Sequence, residues 1–140
     1  MMIPDVNVLL YAVNADAPFH VRSKRWIERS LSGQETIGFD WVVLLGFLRL
    51  STKRQVMPSP MSVEDAWSEI AGWTGRRIAR IIVPDTTHAA RLRTLTEQVG
   101  TGGNLTTDAH IAALALANDA RVCSFDRDFE RFPGVTRVEP

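Results

Sequence analysis

The sequence predicts a three-layer α/β/α sandwich around a central parallel sheet of four or five strands, and three observations carry that prediction. Short apolar runs of strand character alternate with segments whose apolar residues recur at helical spacing, the pattern of parallel strands joined by helical crossovers. Acidic residues follow two of those runs directly, Asp5 after the first and Asp126 after the fourth, where open parallel sheets bind ligands. The bulk composition, 140 residues at 45% hydrophobic and 23% charged, suits one globular domain over residues 1–140 with one core.

Met1 to Pro4 is room for only a short buried strand, and from Val6 the chain is helical, with Val6, Leu9, Leu10 and Val13 as an apolar stripe. Asn14 to Pro18 turns the chain into a second helix, Phe19 to Leu31, with Trp26, Ile27 and Leu31 inward and Ser32-Gly33 as its stop. Glu35 to Phe39 is the second strand. Asp40 then stands as N-cap of a helix that places Val42, Leu45, Leu48 and Thr52 at helical spacing. Pro58-Ser-Pro60 breaks the chain, and Ser62-Val-Glu-Asp65 opens the next helix as a capping box, with Val63, Ala66, Trp67 and Ile70 facing inward. Arg80 to Val83 is the third strand, and Thr86 to Val99 a helix with Ala89, Leu92, Thr96 and Val99 on one side, stopped by Gly100-Thr-Gly-Gly103. An alanine-rich helix from Leu105 to Asn118 suits close packing; Arg121 to Ser124 is the fourth strand and Thr136 to Glu139 a short fifth.

Charge excludes some function classes. Lys plus Arg equals Asp plus Glu at 16 each, so there is no general attraction to nucleic acid, and any such binding must be local. The basic clusters Arg22-Lys24-Arg25, Lys53-Arg54 and Arg76-Arg77-Arg80 read as solvated faces. No apolar run approaches the length of a spanning helix, and the N-terminus lacks the features of a signal peptide, so a cytoplasmic protein without membrane contact is expected. The one cysteine, Cys123, lies in a strand-like stretch and reads as a small core residue.

The acids are the chemical signal. An ionised carboxylate in an apolar run needs a cation or several hydrogen-bond donors, so Asp5 is either a helix cap or the first member of a site, with Asn7 in the following turn beside it. Asp108 lies near the start of the alanine-rich helix, in line with Leu105, Ile111, Ala112 and Ala115, and so faces inward; His110 falls off that face. Asp126 and Asp128 follow the fourth strand. If strands one and four are neighbours across a topological switch point, Asp5 and Asp126 approach each other and Asp108 descends on them. Carboxylates and amides without a His or Cys cluster favour a hard ion, Mg²⁺ or Mn²⁺, over zinc.

Asp5-Val-Asn7, Trp41-Val-Val-Leu-Leu-Gly-Phe-Leu-Arg49, Gly103-Asn-Leu-Thr-Thr-Asp108 and Ser124-Phe-Asp-Arg-Asp-Phe129, in that order over essentially the whole chain, resemble the PIN-domain ribonucleases, and among them the VapC toxins of toxin–antitoxin pairs. The resemblance implies a PIN-like fold and Mg²⁺- or Mn²⁺-dependent hydrolysis of RNA phosphodiester bonds. It puts the metal-binding, catalytic acids on Asp5, Asp108 and Asp126, with Asn7, Asp128, Thr107 and Ser124 in support. It also implies a homodimer silenced by a VapB-like antitoxin, with an antitoxin arginine reaching Asp5 and Asp126; apolar surface expected at Trp26, Phe47 and Trp73 is a second ground for the dimer. Many family members carry a glutamate where this chain has Gly46, which implies unfilled space beside the metal; Asp40 is the nearest other acid and reads as a cap before a ligand. Two rivals differ in kind: a PIN-like RNA- or partner-binding module with weak turnover, and a phosphatase of the haloacid-dehalogenase type, whose pattern needs an aspartate where Asn7 stands.

Overall fold

A computed structural model describes residues 1–100 and 102–140. Thr101, one residue of the predicted glycine-rich stop, lies outside the described residues. Five strands, β1 (Met2–Pro4), β2 (Ile37–Asp40), β3 (Ala79–Ile82), β4 (Arg121–Cys123) and β5 (Arg137–Val138), pair in parallel in the order β3-β2-β1-β4-β5. The helices are α1 (Val6–Val13), α2 (His20–Ser32), α3 (Trp41–Ser51), α4 (Val63–Thr74), α5 (His88–Val99) and α6 (Thr106–Ala117).

The chain steps outward from β1 to β2 and β3, then returns across the sheet to β4. Right-handed crossovers therefore carry α1 to α4 over one face and α5 and α6 over the other. The packing agrees: α1 lies against α2 and α3, α3 against α4, and α5 against α6. Both faces are covered at the centre of the sheet, where Ile3, Ile37, Phe39 and Val122 are buried with Ala109, Ala112, Ala113 and Ala115 of α6, whose small side chains bring that helix close to the strands; toward the edge, β3 leaves Arg80 and Ile81 exposed. The switch point falls between β1 and β4, where Pro4 pairs with Cys123.

The helix ends follow their caps. Ser62 Oγ accepts the Asp65 N–H at 3.0 Å and donates to Asp65 Oδ2 at 2.7 Å, so the cap half of the expected box forms, while the Asp65 carboxylate takes the Ser62 hydroxyl instead of its backbone N–H. Gly100 closes α5 at φ 72°, a left-handed conformation that costs glycine nothing. Strand limits move by one or two residues from those read in the sequence, because pairing rather than composition sets them.

Several buried faces differ from those expected. On α3 the core side is Val43, Leu44, Phe47 and Ser51, while Val42 and the 53%-exposed Leu45 face outward. On α4 Ala66, Ile70 and Trp73 are buried, and Val63 and the 42%-exposed Trp67 are not. On α5 His88 and Leu95 are the buried pair and Ala89 is exposed. α3, apolar on nearly every side, does not declare an inner face, and on α4 and α5 apolar residues fall on more than one side, so the layer each helix meets chooses the face. Trp26, Phe47 and Trp73, expected at the surface, are all buried, and Trp41 and Trp67 are the exposed tryptophans.

Candidate active site

The β1 and β4 ends meet at Asp5. Its backbone N–H donates to the Cys123 carbonyl at 2.9 Å, continuing the ladder one residue past the strand. The carboxylate is 5% exposed and accepts three hydrogen bonds: from Val6 N–H on Oδ1 at 2.6 Å, and on Oδ2 from Asn7 Nδ2 at 2.6 Å and Ser124 Oγ at 2.7 Å. The expected cap and the expected site residue are thus one group, since Asp5 is also the N-cap of α1.

Ser124 is the hub of this knot. Its hydroxyl donates to Asp5 and accepts from Asn7 Nδ2 at 3.0 Å and from the Asp126 N–H at 2.9 Å. Asn7 Oδ1 accepts the Phe125 N–H at 3.4 Å, closing the loop after β4 onto α1. Asp126 Oδ1 accepts the Asp128 N–H at 2.8 Å and so caps the 3₁₀ turn Arg127–Arg131, with one oxygen of its exposed carboxylate engaged. Asp128 pairs with Arg131 at 3.4 Å.

Asp108 comes from the opposite layer, in the first turn of α6, half-buried and with no side-chain hydrogen bond to a described residue. Burial first, and then the charges of Asp5, Asp126 and Asp128, push its carboxyl up to about 7. The same neighbours place all four acids at one edge. Asp5 is also raised: burial outweighs the stabilising bonds from Ser124 and Val6, and Asp126 adds repulsion. No described cationic side chain pairs with Asp5, Asp108 or Asp126, and no three His, Cys, Asp or Glu side chains among the described residues converge tightly enough to hold an ion alone. A pair of proton-avid carboxylates with no internal cation is a donor set suited to a hard divalent ion that takes its remaining oxygens from water or substrate.

The other expected residues divide. Thr107 is exposed on α6 and makes no side-chain hydrogen bond with a described residue. Asp40 caps α3, its Oδ2 accepting the Val42 N–H at 2.9 Å, and accepts a second contact from His110 Nε2 at 3.1 Å. His110 is therefore structural, as its position off the acid face implied. A Cβ at Gly46 would meet Val6 Cγ2 at 3.3 Å, so the space expected there is already filled by the side chain next to Asp5. Burial pushes the Cys123 thiol far up and leaves it inert. Sequence reading gave Ser124 only a supporting place and did not find the partnership of His88 with His110 and Asp40; those three are far apart in the chain and share no local pattern.

The PIN-domain family pattern matches residues 2–135. Among curated proteins the chain is 45% identical to ribonuclease VapC37 of Mycobacterium tuberculosis, over all of this chain and 97% of the relative. It is 39% identical to a VapC ribonuclease of Mycobacterium bovis, over 94% of this chain and 90% of that one. In fold it is similar to VapC20 of M. tuberculosis, a toxin that cleaves the sarcin–ricin loop, with a TM-score of 0.74 and 17% identity over 100% of both chains. A second similar structure is that of VapBC2 from Rickettsia felis bound to a promoter DNA fragment, with a TM-score of 0.69 and 19% identity over 99% of this chain and 98% of that one.

Proposed function

The chain belongs to the PIN-domain family, and from that premise we propose that it is a VapC-type endoribonuclease, the toxin of a toxin–antitoxin pair, hydrolysing RNA phosphodiester bonds with Mg²⁺ or Mn²⁺ held at Asp5 and Asp108. The observation that carries the reading is the meeting of those two carboxylates at the switch point of the sheet, both disposed to hold a proton and neither paired with a cation of the described chain. Asp126, beside them and partly free, completes the acid set. When bound, the ion would lower the pKa of a water and offset charge developing on the phosphate.

The protein's own part is positional. Ser124 and Asn7 fix both the Asp5 carboxylate and the loop that carries Asp126, so the acids on β1 and β4 move as one body. The Asp108 carboxylate, with no hydrogen bond from a described residue, is available to a ligand. Its pKa is raised by burial first and by the neighbouring acids second, so it would ionise fully only against a cation, which is what a divalent ion would supply. Asp128 keeps Arg131 at the rim. An opening lined with acids admits a single strand or a loop more readily than a duplex.

The partners follow from the same reading: an RNA substrate, a VapB-like antitoxin whose arginine satisfies Asp5 and Asp126 by charge-assisted contacts, and a second copy of the chain. No helix among the described residues is long and apolar enough to cross a membrane. We place the activity in the cytoplasm, with residues 1–140 acting as one domain.

The test is to sequence the RNA 5′ ends produced in cells by the induced protein, with Asp5→Asn as control. Discrete ends that require intact Asp5 are expected. Ends that persist unchanged in Asp5→Asn would refute the assignment, and binding of RNA without metal-dependent cleavage would favour a binding module.

A further inference from the structure

One buried polar assembly takes no part in the chemistry above. Asp40, 3% exposed at the end of β2, faces His110 Nε2 at 3.1 Å; His110 Nδ1 faces His88 Nε2 at 3.0 Å, with the two rings edge to face at 4.8 Å. An ionised carboxylate only accepts, so His110 carries its hydrogen on Nε2. In the tautomer pair where His110 Nδ1 accepts, His88 donates its Nε2–H. The chain of bonds ends at His88 Nδ1, which is buried and has no partner among the described residues. It joins the β2–α3 junction, α6 and α5, which share no covalent connection at this point.

His110 stands two residues after Asp108 on α6. The helix is entered through a 3₁₀ turn over Gly103–Leu105, held by the Leu105 N–H on the Gly102 carbonyl at 2.8 Å and the Thr106 hydroxyl on the Gly103 carbonyl at 3.0 Å, but the Asp108 side chain itself makes no hydrogen bond with a described residue. Apolar contacts of Leu105, Ala109 and the fully buried run Ile111 to Ala115 hold α6 against the sheet, but they are not directional. The Asp40–His110 bond is directional, and it ties α6 to the strand beside β1.

We propose that His110 is a positioning residue for Asp108: anchored on Asp40 and backed by His88, it fixes the rotation and height of the first turns of α6, and with them the Asp108 carboxylate over Asp5. This rests on the nuclease reading, in which Asp108 holds the divalent ion. Asp40, read from sequence as a cap before a ligand, then acts on the site only through His110.

The experiment measures Mn²⁺ affinity by calorimetry, and thermal midpoint in EDTA, for wild type, Asp108→Asn, His110→Phe, His110→Gln and His110→Asn. Glutamine can put an amide donor near the position of Nε2, whereas asparagine is too short to reach Asp40. Affinity should fall by about tenfold in His110→Phe and His110→Asn, the lower end of what loss of an outer partner costs a metal site, and return to within about threefold in His110→Gln. Wild-type affinity in His110→Phe, with only a lowered midpoint, would overturn the proposal. If His110→Phe does not fold, equal affinities in the Asn and Gln variants would overturn it instead. Mn²⁺ binding that Asp108→Asn leaves intact would bring down the nuclease reading itself, a result distinct from either of these.

Discussion

Ser124 donates its hydroxyl to Asp5 across 119 residues of sequence, at 2.7 Å, and the bond is buried. Because the same oxygen accepts the Asp126 N–H, the position of one acid depends on the position of the other. Ser124→Ala removes three hydrogen bonds at once and leaves Asp5 Oδ2 with Asn7 alone. We expect a loss of about 1 to 3 kcal/mol of stability, the usual cost of orphaning buried polar groups. Denaturant unfolding in EDTA measures it, and a change below 0.5 kcal/mol, on the order of an ordinary surface substitution, would show that the knot is not structural.

Asp108→Asn and Asp5→Asn should each abolish divalent-dependent RNA cleavage while preserving the fold, because the amide keeps the volume and loses the charge. The circular dichroism of both variants should match that of the wild type. Cleavage that survives in EDTA would contradict the metal-dependent reading.

The pH dependence has a definite sign. Asp108 has a carboxyl raised to about 7 in the folded chain from 3.8 unfolded, so its contribution to stability is present in full below about pH 4 and is lost as pH rises through about 7. Asp5 is raised as well and acts in the same direction. His88, whose pKa is lowered chiefly by burial, acts oppositely by losing stability in acid, so the useful quantity is the difference between wild type and Asp108→Asn. In EDTA that difference should favour the variant increasingly from pH 4 to 8, by on the order of 1 kcal/mol after solvent screening of a half-exposed group. Added Mg²⁺ at pH 8 should stabilise the wild type alone. A difference independent of pH would remove Asp108 from the repulsive cluster.

Gly46 lies against Val6 rather than open space. Gly46→Glu alone should therefore lower stability through crowding of the Val6 methyl, which must give by a few tenths of an ångström. Paired with Val6→Ala, the same glutamate should reach the acid edge and lower the Mg²⁺ concentration needed for cleavage. Calorimetry showing unchanged metal affinity in the double variant would place position 46 outside the site.

The exposed apolar side of α3, with Trp41, Val42 and Leu45, replaces the surface that sequence had assigned to Trp26, Phe47 and Trp73. If it joins two copies of the chain, Leu45→Glu should halve the mass seen by light scattering at high concentration. An unchanged mass would exclude this face from the dimer.

The sequence by itself determined the order of strands and helices, the acids at strand ends and the family, because these depend on local period, caps and motifs. Asp5 with Asn7, Asp108, and Ser124 with Asp126 were legible since each sits in a short run that cannot be core alone. Only the tertiary structure decided which faces of α3 and α4 are buried: both carry apolar residues on several sides, and burial is a property of the layer they meet. It also decided that Ser124 bridges two strands and that Asp40, His110 and His88 form one chain of bonds. Contacts made across 22, 70 and 119 residues leave no local periodicity to read; they come into being only when the parallel sheet brings strand ends together.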